Sequence, residues 1–305
     1  MEHLPGYAQR DWRIVDYHLY CLPNTDLWFR GPKPGNLQRN NYFACIGAAQ
    51  TFGCFCDKPY PILLKEKIDL DVLNLGYGGA GPFFFLKHAA LLEYVNNARF
   101  AIILVMSGRS ESNSLFHSGG LEYLTRLSDG VRIGADAAYQ DLLRKHARWR
   151  IKLGGKQISL CFLARNRVKR IVTETRANWT RNFTQLIHRI KVPKILFYFS
   201  RREPGYQECY DGLQSLFSGF PQLVNSQMIH EVRRHCDHYV ECISKRGTPQ
   251  LLVDRFTGKP TTVDLSLDRE DFHGLWEYNL YYPTPEMHVD AARVLEPVCA
   301  RILGQ

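Results

Sequence analysis

Apolar residues in this chain follow two rhythms. Short unbroken runs predict strands over 42–46, 72–75, 100–106 and 194–200. Runs of that kind belong to parallel strands covered on both faces. Shorter runs predict strands over 157–163, 239–243 and 250–253. Helical spacing predicts helices over 62–68, 83–97, 135–150, 166–190, 226–238 and 286–303,. Pro61 suits the first turn of the first of these, and Pro193 stops the fourth,. Strand and helix alternate. This predicts an α/β fold, a doubly wound and mostly parallel sheet flanked by helices in the flavodoxin manner.

The first forty residues break the rhythm. They are rich in Pro, Gly, Asn and aromatics, and 27–32 reads as an extended segment ending in a turn,. We expect an irregular N-terminal arm over 1–40 packed on one domain over 41–305, with an irregular insertion near 108–156.

Composition narrows the function. The 305 residues carry a formal charge of +9, which favours an anionic ligand,. Much of the excess lies between Arg144 and Arg181. No aromatic RNA-binding signature or zinc-finger spacing accompanies it, so nucleic acid is not expected. Nine cysteines without regular spacing suit free thiols in a reducing compartment,. No apolar run is long enough to span a bilayer and no leader pattern opens the chain, so a cytoplasmic protein is expected. Cys54-x-Cys56 and His235-x-x-His238 lack the spacing of a metal site, and no metal is expected,.

Ligands of such sheets gather at the carboxyl ends of the strands. Gly47-Ala48-Ala49-Gln50-Thr51-Phe52-Gly53 follows the first strand, and Gly76-Tyr77-Gly78-Gly79-Ala80-Gly81-Pro82 follows the second. Each reads either as a backbone-lined ligand loop or as a tight turn that needs glycine. Ser107-Gly108-Arg109 follows the third strand. Arg109 there reads as an anion clamp or a surface charge. Ser200-Arg201-Arg202-Glu203 follows the fourth. Its paired arginines suit a phosphate or sulfate, unless Glu203 neutralises one of them. Near the end, Tyr281-Tyr282-Pro283-Thr284-Pro285-Glu286-Met287-His288 puts a histidine in the first turn of the closing helix.

This order of blocks resembles the SGNH (GDSL-type) hydrolases. Their first block is Gly-Asp-Ser-x-Thr-x-Gly, their second an Asn-Leu-Gly-x-x-Gly stretch, and their last ends in a catalytic His. Asn74-Leu75-Gly76-Tyr77-Gly78-Gly79 matches the second. In the first, the nucleophile position is Ala49 and the acidic position is Ala48, and a methyl group cannot attack a carbonyl,. The third block, Gly-x-Asn-Asp, is missing, and Pro285 stands where the family has Asp. The chain also resembles a bacterial family, mostly alphaproteobacterial, that shares Trp28-Phe29-Arg30-Gly31-Pro32, Pro59-x-Pro61 and Asn74-Leu75-Gly76. That resemblance implies a fold and not a reaction.

The SGNH resemblance implies His288 as a general base oriented by Glu286 or Asp271. It implies ligand contacts from Gly47, Gln50, Thr51, Gly76, Gly78 and Gly79, and Arg109, Arg201 and Arg202, read from their place at the strand ends, would take an anionic group. The corresponding function is a transferase without a serine nucleophile. It would move an acyl group from an anionic donor, such as a coenzyme A thioester, to a glycan or lipid hydroxyl. Residues 46–53 also resemble, faintly, the donor loop of bacterial sulfotransferases, with Gln50 in place of its Lys. That implies an adenosine phosphosulfate donor. A non-catalytic binding module is the third reading.

Overall fold

Five strands, β1 (Tyr42–Gly47), β2 (Asp71–Gly76), β3 (Ala101–Leu104), β4 (Lys194–Ser200) and β5 (His238–Ile243), form the central sheet. All neighbours run parallel, in the order β5-β4-β3-β1-β2. The computed structural model describes residues 6–147, 150–153, 156–159, 161–264 and 274–304. The doubly wound α/β arrangement expected from the apolar runs is present. β1 has no exposed residue, and its side chains alternate between two cores. Tyr42, Ala44 and Ile46 enter one, Phe43 and Cys45 the other.

Helices α1 (Ala49–Phe52), α2 (Tyr60–Ile68), α3 (Pro82–Lys87), α4 (Ala89–Asn97), α5 (Ala135–Ala147), α6 (Cys161–Arg189), α7 (Ser226–Arg233) and α8 (Pro285–Leu303) surround the sheet. On one face lie α3, α4, α6 and α7, which bury Phe85, Leu91, Trp179, Phe183 and Val232. On the other, α2 and α8 bury Tyr60, Leu64, Ala291, Leu295 and Cys299 against Phe43, Ile102 and Phe197. Burying apolar area of this extent on both faces is the main driving force for the fold. Thr284 caps α8, its Oγ1 accepting from the Met287 N–H,.

Several boundaries differ from expectation. The helix over 83–97 is two helices broken at His88, whose backbone (φ −103°, ψ 83°) is not helical. His88 Nδ1 lies 2.8 Å from the Phe84 carbonyl that the break leaves open,. The helix over 135–150 ends at Ala147, and Arg150–Leu153 pairs with Lys156–Ser159 as a hairpin. The helix over 226–238 stops at Arg233, because His238 already pairs with Ile195 in the sheet. The stretch over 250–253 is a short strand, Gln250–Leu251, and an isolated bridge from Val253 to Pro260. The expected insertion contains an antiparallel three-stranded sheet, Phe116–His117, Tyr123–Arg126 and Arg132–Gly134.

The N-terminal segment is fastened to the core. Tyr17 hydroxyl donates to the buried Asp11, and Ala8, Val15 and Tyr17 pack with Phe52, Phe55, Leu252 and Val263. Arg30 is buried and donates to four carbonyls, those of Phe52, Gly53, Cys56 and Asp57.

A buried carboxyl follows β3. Glu111 accepts from Asn182 Nδ2 at 2.6 Å, yet burial pushes its pKa up to about 7 from an ordinary 4.5,. Below the lower value both folded and unfolded chains hold the proton. Between the two, only the unfolded chain has released it, so stability falls as pH rises and levels off above the folded value. The pH-dependent part amounts to about 3 kcal/mol. Glu111→Gln should remove it. Urea denaturation at pH 5 and pH 8 checks this, and an equal pH effect in both proteins would refute it.

Candidate functional site

The strand order places a switch point between β1 and β3. From β1 the chain crosses outward to β2, then returns to β3 on the other side, so the loops after β1 and β3 part. A cavity of about 340 Å³ opens beside this point, at the carboxyl ends of β1 and β2. Ala48, Ala49, Gln50 and Phe52 line it from α1 and its approach, and Tyr77, Gly78 and Gly79 from the loop after β2. Tyr7 and Arg10 come from the N-terminal segment, Leu121, Glu122, Tyr123 and Arg132 from the small sheet, and Tyr281 and Tyr282 from the loop before α8.

Glycine brings these loops together. Gly76 lies against the backbone of α1: an added Cβ would sit 2.7 Å from both Phe52 Cα and the Thr51 carbonyl carbon, and closer still to Phe52 N. Asn74 ties the same point, donating from Nδ2 to Thr51 O at 3.0 Å and accepting from the Gly76 N–H at 2.9 Å. The Gly76 N–H is therefore engaged and does not serve as an oxyanion donor. Gly47 packs against Thr51, whose hydroxyl shares a hydrogen bond with Tyr60. Gly47, Thr51 and Gly76 thus build the site from behind. Of the expected ligand residues, Gln50, Gly78 and Gly79 line the cavity.

Arg109 is buried and donates to Asp136 at 2.5 Å, Glu122 at 2.7 Å and the Tyr281 hydroxyl at 3.0 Å. Two carboxylates neutralise it, so its charge is not presented to a ligand. It instead positions two groups that line the cavity. The Tyr281 oxygen also accepts from Gln222 Nε2 at 2.9 Å. With two donors aimed at that oxygen, the hydroxyl proton is left for another acceptor. Gln50 is buried, and its Oε1 has no partner among the described residues.

A second cavity of about 300 Å³ lies at the end of β4, lined by Ser200, Arg201, Arg202 and Ser218 among others. Gln50 and Tyr281 line both cavities. Arg201 donates to the carbonyls of Leu280 and Tyr281. Arg202 donates to those of Glu203, Pro221 and Val224 and lies over the Tyr206 ring.

His288 lines neither cavity. It has no exposed surface and is packed between the rings of Tyr60 and Phe199. Its Nδ1 accepts the Tyr60 N–H at 3.2 Å, which puts the proton on Nε2, and Nε2 has no partner among the described residues. Burial, with the Arg30 charge adding to it, pushes its pKa down to about 3,. Glu286 does not orient the ring, because Nδ1 is already engaged. The exposed Glu286 instead lies against Gly247. Asp271 lies outside the described residues. Ser107 and Ser110, the serines nearest the switch point, are buried and hydrogen-bonded, Ser107 accepting from the Arg109 N–H and Ser110 donating to Gly79 O.

The model of the family described as "Domain of unknown function (DUF6473)" matches residues 6–118 and 158–263. The chain belongs to this family. The matched residues include the arm, α1 and the loop after β2, and so much of the wall of the first cavity. No curated protein matches the chain. Among solved structures, a G-D-S-L family protein from Desulfitobacterium hafniense DCB-2 is 11% identical, with a TM-score of 0.33 over 86% of this chain and 99% of its own. A catalytic mutant of Axe2, an acetylxylan esterase from Geobacillus stearothermophilus, is also 11% identical, with a TM-score of 0.35 over 88% of this chain and 95% of its own. Likeness this distant carries no chemistry over to the DUF6473 chain.

The other lining residues, Tyr7, Arg10, Cys54, Glu122, Tyr123, Arg132, Tyr281 and Tyr282, come from four separate segments and have no common spacing. The Tyr281–Tyr282 pair lies in a block that the sequence does single out, but for its histidine.

Proposed function

We propose that this DUF6473 protein is an SGNH-like binding protein without hydrolytic chemistry, and that its ligand is a small hydroxyl-rich molecule of the glycan type. The observation that carries this is the junction of the two cavities. There, among the described residues, Gln50 offers an unpartnered carbonyl oxygen and Tyr281 an uncommitted hydroxyl proton. An acceptor and a donor together match a sugar hydroxyl, which both gives and takes a hydrogen bond. The tyrosine faces of the first cavity suit the apolar face of a sugar ring,. Ala48 and Ala49 bring no nucleophile or acid to it.

A transfer reaction is the second reading. Two cavities with a common wall favour it, since a donor and an acceptor would lie side by side. Coenzyme A thioesters and adenosine phosphosulfates are its candidate donors. The role of His288 as base finds no support in its burial, because a base must come within hydrogen-bond reach of the proton it removes.

The test is calorimetric titration with a panel of oligosaccharides, alongside both donor classes. A glycan should bind, and Gln50→Leu should weaken it about tenfold or more, since a ligand hydroxyl loses its acceptor. Folding should be unaffected or improved, because Leu removes a buried unpartnered oxygen. A fluorophosphonate probe should label no serine. Equal binding by Gln50→Leu, or probe-sensitive turnover of p-nitrophenyl acetate, would overturn the proposal.

A further inference from the structure

The second cavity holds two guanidinium groups that no carboxylate among the described residues neutralises. Among the described residues, every hydrogen bond from Arg201 and Arg202 goes to a carbonyl or to the Tyr198 hydroxyl. Glu203, the acid next in sequence, is exposed and gives Arg202 only its backbone oxygen. The nearest acid–base pair, Arg176 with Glu208, is already matched, and Arg176 adds positive charge to the surroundings of Arg202. Burial lowers the pKa of Arg201 and of Arg202. Two adjacent, half-buried cations without a counter-charge are costly to hold. A fold keeps such a pair most economically where an anion completes it.

The two arginines divide the work. Arg202 has committed both terminal nitrogens and its Nε to protein oxygens, so it supplies field and holds the loop over 219–224 in place. Arg201 uses only Nη2, leaving Nη1 and Nε, which lie on either side of the Cδ stem, uncommitted among the described residues. Each can give a charge-assisted hydrogen bond to an oxygen of a tetrahedral oxyanion. Ser218 and Gln214 line the same cavity and offer neutral donors.

We propose that the second cavity is an oxyanion subsite in which Arg201 takes the phosphate or sulfate group of a ligand. That one ligand spans both cavities, its neutral portion against Gln50 and Tyr281, rests on the binding function proposed above. The anion subsite itself does not. The ligand class is then a phosphorylated or sulfated glycan.

The probes are inorganic phosphate and inorganic sulfate, titrated into the full chain at low and moderate salt. Binding should weaken as chloride rises. Arg201→Gln should weaken it at least tenfold, and Arg201→Lys should retain part of it, since charge survives while the fixed N–H directions are lost. Arg132→Gln, at the first cavity, should bind the ion as the wild type does. A measurement on the unaltered protein guards against misfolded variants: phosphate should slow modification of Arg201 by phenylglyoxal, located by mass spectrometry. Absence of ion binding together with unprotected Arg201 would overturn the subsite. So would unchanged binding by a folded Arg201→Gln. Ion binding without any glycan binding would keep the subsite and remove the glycan reading. The reverse would do the opposite. With both sites intact, a sulfated or phosphorylated glycan should bind more tightly than its neutral parent, and equal affinity would overturn the spanning ligand.

Discussion

Arg30→Ala is expected to destabilise the protein by about 3–5 kcal/mol, because it strands several buried carbonyls that cost about 1–3 kcal/mol each when left unpaired. The side chain is buried, and its Nη1 and Nη2 donate to Phe52, Gly53, Cys56 and Asp57 at 3.2, 2.7, 2.7 and 2.6 Å. Those carbonyls close α1 and form the turn into α2. Without the guanidinium they remain buried and unpaired. The Tyr17 ring, 4.9 Å from the guanidinium carbon, loses its cation as well,. Arg30→Lys should recover only a minor part, because one ammonium cannot reach oxygens spread along a fork. Urea denaturation measures both variants. An Arg30→Ala protein within about 1 kcal/mol of wild type would contradict this account.

Gly76→Ala should be the most damaging single methyl group at the site. The new Cβ meets backbone atoms of Thr51 and Phe52, which cannot rotate away. Overpacking of this kind costs about 3 kcal/mol and moves whatever can move. Here that is α1, which carries Ala49, Gln50 and Phe52 into the cavity wall. Stability and ligand affinity should therefore fall together. Gly78→Ala is the contrast. It lies two residues away, lines the same cavity and has no atom within 4 Å of the new Cβ. Its melting temperature should be close to wild type. Thermal melts of the pair decide the matter, and equal effects would mean that the Gly76 contact yields.

The sheet was legible because strands buried on both faces must be apolar throughout. β1 through β4 announce themselves in this way, and the alternation with helices gives the layers. The break at His88 was not legible, since Phe83 to Asn97 keeps helical spacing on both sides of a residue that leaves the helix. Local periodicity does not report one residue's dihedrals. The strand-end rule located Gln50, Gly78 and Gly79, which depend only on the ends of β1 and β2. It could not separate Thr51 from Gln50, neighbours that α1 turns to opposite sides. His288 shows the same limit. Its place in the first turn of α8 follows from sequence, whereas its orientation toward Tyr60 and Phe199 follows from how α8 lies on the sheet. The arginine pair after β4 was visible, but its lack of a carboxylate partner among the described residues depends on where Glu203 points.

Residues 8–17 and 252–263 share one cluster, and this bears on the order in which the chain can fold as it is made. Arg13 is bonded to Asp254 at 2.6 Å, and the Arg255 N–H reaches the Arg13 carbonyl at 2.8 Å. Ala8, Val15 and Tyr17 can meet Phe52 and Phe55 early, but Leu252 and Val263 complete their cover only after β5 has been made. During that interval the cluster is partly open, which is the condition under which nascent chains recruit chaperones or associate. A chain cut before residue 250 would contain β1 through β5 but no finished first cavity, and such a fragment should be recovered in aggregates.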